Sequence, residues 1–305
     1  MAKAQEFNPT AGKPSAIATD LALVLAPNPS PMTHLGTNTF LLGSDRLAII
    51  DPGPDNDDHL QALINAIGGR PVSHIFVTHS HLDHSPLSRK LSQRTYAPIY
   101  AFGGSTAGRS DIMQTLAHEG LAGGGEGIDL DFTPDKYLFD GEVTKDAWGE
   151  LTAIHTPGHI GNHLCFQWGD VIFTGDHVMG WASSLVSPPD GDITDFMASC
   201  VKLKRYTARI FYPAHGPSIT NPAERLNWLI AHRQQREAQV LSTLQQAQAT
   251  AQQLAKAIYQ DTPSSLHSAA MRNVFAHLVD LHQRGIVATN GPLAQDAVFE
   301  IIRSN

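Results

Sequence analysis

His79-Ser80-His81-Leu82-Asp83-His84 puts four side chains of metal-binding type within six residues, directly behind the apolar run His74–Thr78. Four such groups cannot all face one ion. On a turn they can address two neighbouring ions, His79 and His81 toward one, Asp83 and His84 toward the other. A divalent ion takes about four to six ligands, so the motif needs partners from elsewhere. The chain offers three, each placed where an apolar run ends: His159, Asp176 and His215. Strand ends on one sheet edge lie close together. His159 then completes a three-histidine site, His215 adds a second histidine to the other, and the two oxygens of Asp176 can bridge both ions. A water in the remaining shared position would ionise near neutral pH between two cations.

Other residues extend the candidate site. Asp51 in Asp51-Pro52-Gly53-Pro54 sits at another strand end and is expected to orient a ligand histidine rather than to ligate. His163, four residues past His159, reads either as a substrate contact or as a structural hydrogen-bonding group. Asn38 in Gly36-Thr37-Asn38-Thr39 reads as a turn residue, with a loop contact near the site as the alternative. Asp83 is the candidate for proton handling while it remains a ligand. His59, His118, His232, His267, His277 and His282 stand outside any such pattern and read as structural or surface residues. Gly158, Gly175 and Gly216 flank the ligands and let the backbone bend there.

The apolar runs Leu47–Ile50, His74–Thr78, Leu151–His155, Val171–Thr174 and Ile210–Tyr212 are short, rich in Ile, Val, Phe and Tyr, and end in turn residues, as strands do. Amphipathic helical patterns near Asp57–Ile67 and Asp195–Lys204 are interspersed with them, which implies a layered α/β architecture. Residues 106–134, with Gly123-Gly124-Gly125 and Gly127, read as an inserted loop region, either a lid or a plain surface insert. Beyond His215 the pattern turns helical: Pro222 to about Gln248, Ala251–Tyr259 and Leu266–Arg284, then Ile286–Ala288 and Val298–Ile302 as a hairpin around Asn290-Gly291. Three helices and a hairpin are the order of a winged-helix module. The expected domains are 17–221 and 222–305.

Composition narrows the function classes. A net charge of -8 gives no general attraction for nucleic acid or anionic membrane. No segment approaches the ~20 apolar residues of a membrane helix, and Met1–Ser15 does not read as a secretory signal. Two cysteines, Cys165 and Cys200, lie in apolar segments and read as buried, inert thiols, so a cytoplasmic protein without membrane partners is expected. Sixteen histidines in 305 residues draw attention back to metal chemistry.

These residues resemble the metallo-β-lactamase superfamily, whose metal pattern is H-x-H-x-D-H followed by His, Asp and His. The wider chain is similar to the β-lactamase-like protein 2 group. Gly36-Thr37-Asn38-Thr39-Phe40-Leu41, Thr156-Pro157-Gly158-His159, Tyr212-Pro213-Ala214-His215-Gly216-Pro217 and Ile230–Glu237 carry that likeness, together with the C-terminal region. The resemblance implies a four-layer αββα sandwich followed by a small winged-helix-like domain. It implies two divalent metal ions, usually zinc, with iron or manganese as alternatives, on His79, His81, Asp83, His84, His159, Asp176 and His215. Asp176 stands where antibiotic-hydrolysing lactamases carry Cys or Ser, which points instead toward the glyoxalase II, lactonase and nuclease branches.

The function expected is hydrolysis of an ester, thioester, lactone or phosphodiester. Two alternatives are a single-strand-selective endoribonuclease and a di-iron oxidoreductase of the same fold. From Arg233 onward six basic residues (Arg233, Arg236, Lys256, Arg272, Arg284, Arg303) meet five acidic ones, too even a balance to favour RNA. Tyr259 and Phe275, the chief aromatics there, read as core rather than base-stacking residues. The partner is thus a small-molecule or oligonucleotide substrate, with a homodimer as a further possibility. The C-terminal module is expected to shape the substrate mouth or to make that dimer.

Overall fold

The computed structural model of the protein describes residues 7–121 and 127–303; the Gly123-Gly124-Gly125 run lies outside them. Two sheets face each other. The first holds β1 (Pro14–Ala18), β2 (Leu21–Leu25), β3 (Asn38–Leu42), β4 (Leu47–Ile50), β5 (Val72–Phe76), β6 (Ile99–Ala101) and β7 (Lys136–Tyr137), in chain order across the sheet. Between these strands run α1 (Asp57–Ile67), α2 (Leu87–Thr95) and α3 (Asp111–His118). The second sheet holds β8 (Val143–Asp146), β9 (Gly149–His155), β10 (Leu164–Trp168), β11 (Val171–Gly175) and β12 (Ile210–Pro213), with α4 (Ile193–Leu203) as the crossover between the parallel pair β11 and β12.

Strand β4 shows why the sheets must be layered. All four of its residues are buried, and successive side chains of a strand face opposite sides. Leu47 and Ile49 pack with Leu60 and Leu63 of α1 and Leu91 of α2. Ala48 and Ile50 point the other way and meet Phe166 and Phe173 of the second sheet. A strand apolar at every position needs cover on both faces. The second sheet repeats the pattern: Cys165 and Ile172 turn outward onto Phe196, Cys200 and Leu203 of α4. The outcome is the expected order of helix, sheet, sheet and helix. Both thiols are free, fully buried and pushed up to about 12 by burial, as inert core cysteines would be.

Two sequence expectations change. Strands β1, β2, β3, β6, β7, β8 and β10 were not individually expected, because several are two to five residues long or mostly exposed. Residues 106–134 are not simply a loop region. They contain α3, whose Met113 and Leu116 are buried in the C-terminal hydrophobic cluster. Two apolar anchors in eight residues are too few to display a helical period. The downstream end of that segment lies on the histidine motif, where Leu82 N–H donates to Gly127 O at 2.8 Å and Asp129 N–H to Ser80 O at 2.8 Å.

The C-terminal part comprises α5 (Pro222–Gln246), β13 (Ala249–Thr250), α6 (Ala251–Ile258), α7 (His267–Gln283), β14 (Val287–Thr289) and β15 (Val298–Ile301). Thr250 and Gln253 form a capping box that starts α6. The hairpin of β14 and β15 closes through residues 290–297, and β13 adds a third strand to it. Helix α5 serves two cores. Leu226 and Leu229 join the cluster under the second sheet, whereas Val240 and Leu244 join the C-terminal cluster with Val274, Leu278 and Phe299. No described helix is long and apolar enough to cross a membrane.

Candidate metal centre

The loops at one edge of the two sheets bring together all seven residues singled out as ligands. Three overlapping groups have donor atoms within 4.8 Å of one another: His79, His81 and His159; His79, His84 and Asp176; Asp83, His84 and His215. None of the six histidines read as structural or surface residues joins a cluster of this kind among the described residues.

The surroundings fix which nitrogen each histidine offers. Asp51 accepts the Thr78 amide at 2.7 Å and the Thr78 hydroxyl at 2.8 Å. That hydroxyl, its proton committed, accepts Nδ1–H of His79 at 2.9 Å. Asp51 also accepts Nδ1–H of His84 at 3.1 Å. Nδ1 of His159 donates to Leu185 O at 2.7 Å, and Nδ1 of His215 to Gly36 O at 3.1 Å. Four histidines therefore turn Nε2 toward the centre and commit Nδ1–H to their supporting bonds. His81 instead turns its Nδ1 inward, 2.8 Å from His79 Nε2 and 3.0 Å from His159 Nε2. Asp176 faces both groups. Its Oδ1 lies 3.3 Å from His215 Nε2 and 3.6 Å from His84 Nε2, and its Oδ2 lies 3.7 Å from His159 Nε2.

The donor set suits divalent cations. His84 Nε2, His215 Nε2 and Asp176 Oδ1 are buried and have no hydrogen-bond partner. Buried polar atoms of this kind are costly unless something else satisfies them, and five imidazoles with two carboxylates are the ligand chemistry of zinc, iron and manganese. The protein's own electrostatics shows the same demand for positive charge. Burial opposes the charged form of His84 and His215, but the adjacent Asp83 and Asp176 outweigh it, raising His84 well above its ordinary value and His215 to about 10. Burial would raise Asp83 and Asp176, yet the same histidines hold both well below the usual carboxylate range. His81, buried among other imidazoles, falls to about 3.

The supporting residues behave as follows. Asp51 stands behind His79 and His84, at the orienting position expected of it. His163 is fully buried: it donates through Nδ1 to Thr156 Oγ1 at 2.9 Å and accepts the Asp176 amide through Nε2 at 3.2 Å. Of its two readings, the structural bond describes it. Asn38 is not in a turn. It begins β3, buried, and its amide donates to Pro213 O and Gly216 O at 3.0 Å each, clasping both sides of His215. A Gly-Thr-Asn-Thr run reads as a turn locally; the tie spans about 175 positions and has no local signature.

Several residues had no signal in the sequence. The 184–186 segment forms a strap across the centre. Ser184 Oγ donates to Asp176 O, Leu185 O takes His159, and Val186 N–H donates to Asn273 Oδ1 of α7 at 3.1 Å. Arg233, counted among the basic residues of the C-terminal module, is only 1% exposed and out of reach of a surface ligand; it donates to Ser184 O and to Asn273 Oδ1. Tyr259, partly buried, packs against the C-terminal core and also lines the cavity over the metal-ligand cluster, and Phe275 is core as expected. That cavity measures about 610 Å³. His81, Asp83, His159 and Asp176 form its floor, and no lysine or arginine lines it among the described residues.

Comparison with known proteins identifies the family and the fold. The family described as the metallo-beta-lactamase superfamily matches residues 32–215, and the beta-lactamase-associated winged helix domain matches residues 250–294. The chain is 29% identical over 276 residues to a beta-lactamase-like protein 2 homolog of Caenorhabditis elegans, covering 87% of this chain and 84% of that one. It is 32% identical over 234 residues to an atrochrysone carboxyl ACP thioesterase of Aspergillus fumigatus, covering 74% of this chain and 65% of that one. A solved metallo-beta-lactamase family protein from Thermus thermophilus superposes with a TM-score of 0.74 at 23% identity, over 94% of this chain and all of that one (100%).

Proposed function

Because the chain belongs to the metallo-β-lactamase superfamily, a family of hydrolytic enzymes, we propose that it is a binuclear metal-dependent hydrolase acting on an ester or thioester. The observation that carries this reading is the pair of donor groups that Asp176 faces with separate oxygens. His79, His81 and His159 would hold one ion and Asp83, His84 and His215 the other, with Asp176 reaching both. When bound, the ions supply Lewis acidity and a water activated at neutral pH. Zinc is the first choice, and the donor set accepts iron and manganese as well.

The residues around the centre do the rest. Asp51, Thr78, Leu185 and Gly36 fix the histidine rings, so the donors need little rearrangement. Asp83 lines the cavity with its carboxylate partly exposed, where it can take a proton from the attacking water and pass it to the leaving group.

Phosphodiester chemistry is less well supported. A polyanionic strand needs clustered cations along its path, and the lining described above has none. The thioesterase name among the relatives favours acyl transfer to water.

The test is direct. Purified protein should carry about two transition-metal ions per chain and turn over members of a panel of thioesters, esters and lactones, with single-stranded RNA cleaved slowly or not at all. His81→Ala should lose both metal and activity. Full activity in a metal-free sample, or RNA as the fastest substrate, would overturn the reading.

A further inference from the structure

We infer that helix α7 and the segment before it form the acyl-binding wall of the active site, so that the substrate is the ester or thioester of an uncharged, apolar acid whose size the small residues Ala269 and Ala270 set. This rests on the hydrolase reading above and names the substrate class of the same cavity.

The cavity has two walls over one floor. Met32, Met179, Trp181 and Leu185 come from the catalytic domain, and Tyr259, Leu266, Ala269 and Ala270 come from the C-terminal part. Within this lining the only charged side chains besides the histidines are Asp83 and Asp176, both on the floor and both in the metal-ligand cluster. Fixed charge is thus confined to the reacting end of the substrate. The walls add only uncharged polar groups (Asn28, Ser30, Thr33, Ser183, Thr262, Asn273) between the apolar side chains that meet whatever extends from it. A phosphate or a carboxylated tail would find no cation there to pair with. Apolar side chains also stand exposed near the mouth, Leu82 at 49% and Met32 at 38%, both of them lining the cavity. Exposed apolar surface beside a catalytic floor marks a place for an apolar ligand.

The C-terminal wall is held rigidly enough to discriminate. Asn273, one turn beyond Ala269, is tied to Val186 and Arg233, so α7 keeps a fixed distance from the 184–186 strap. Ala269 and Ala270 are the smallest residues in that wall. Each removes only a methyl group's worth of space, and larger side chains there would shorten the cavity. In the reaction the acyl C–S or C–O bond breaks, the water oxygen joins the acyl carbon, and the leaving thiolate or alkoxide takes the proton. The carboxylate product forms at the floor, and the apolar chain stays against the wall.

The experiment uses the metal-loaded, full-length protein and the N-acetylcysteamine thioesters of acetic, butyric and octanoic acids, with octanamide as a ligand that reports binding without turnover. In wild type, kcat/KM should rise about two- to fourfold per added methylene. Ala270→Phe and, because Ala270 is buried, also the half-buried Ala269→Phe should lower the octanoyl-to-acetyl ratio of kcat/KM at least tenfold, chiefly through KM, and weaken octanamide binding about tenfold. Circular dichroism shows which variants fold. A flat chain-length profile, or variants that fold and keep the wild-type ratio and octanamide affinity, would overturn the inference. Octanamide bound by wild type and weakened by either variant, with no ester or thioester turned over, would support the wall and overturn only the hydrolase reading.

Discussion

The side-chain oxygen of Asn273 accepts the backbone N–H of Val186 at 3.1 Å, which joins helix α7 to a segment whose next residue back, Leu185, holds metal-ligand candidate His159. The same oxygen accepts Arg233 at 2.9 Å. The C-terminal part therefore reaches the catalytic floor by two hydrogen bonds. Asn273→Ala strands the buried Val186 amide and one arm of the buried Arg233 guanidinium, whose other arm keeps Ser184 O, and should cost about 2 kcal/mol of stability. Chemical denaturation measures it. Asn273→Asp keeps the acceptor and adds a counter-charge for Arg233, so it should recover most of the loss; recovery no better than with alanine would contradict the link.

Asp51 gathers Thr78 and His84, and through the Thr78 hydroxyl it also orients His79. Asp51→Ala should lower metal affinity or kcat/KM about 10- to 100-fold while leaving the ligand set itself complete. Chelator competition gives the affinity. An unchanged value would mean the histidine rings are held by packing alone.

Metal binding should release protons. In the protein without metal, Asp83 and Asp176 hold His84 and His215 protonated well past their ordinary range. A folded-state pKa raised above the unfolded value stabilises the fold below about pH 6.5, and that contribution is lost as pH climbs toward the value of about 10 for His215. Any ion entering must displace these protons, so about two should leave per chain near pH 7. The rise in melting temperature on adding zinc should therefore widen from pH 6 to pH 8. Calorimetry in two buffers of different ionisation enthalpy counts the protons, and zero release would contradict the protonated state of His84 and His215.

Gly158, the residue before His159, has φ +137°, and a Cβ there would lie 2.3 Å from the Cα of Phe196 on α4. The added Cβ meets the Phe196 backbone, and neither can rotate away, so no rotamer relieves it. Gly158→Ala should cost about 3 kcal/mol or more and displace His159. Gly169→Ala is the comparison: φ is +57° but nothing lies within 4 Å, so about 1 kcal/mol is expected. Equal melting temperatures for the two variants would contradict this packing.

Much of the centre was legible because ligands are chemically conspicuous. His79, His81, Asp83 and His84 sit in one short motif, and His159, Asp176 and His215 each close an apolar run. A layered α/β fold was legible from strand-like runs interspersed with helical patterns. The four-layer order was what the family resemblance implied, and the burial of β4 and β11 at every position, which requires cover on both faces, is its physical reason. Short or exposed strands such as β7 and a two-anchor helix such as α3 escape such reading, because too few residues carry the period.

Local sequence specifies the identity of the donor atoms, the layered fold and the order of helices and hairpin behind it. Long-range packing alone makes Asn38 clasp the His215 loop, sets His163 to support Asp176, buries Arg233, and turns Ala269 and Ala270 toward the catalytic floor. Ligand types and periodicities are properties of neighbouring residues in the chain. A hydrogen bond or a cavity wall depends on which distant segments meet, and residues as plain as asparagine and alanine carry no mark of that beforehand.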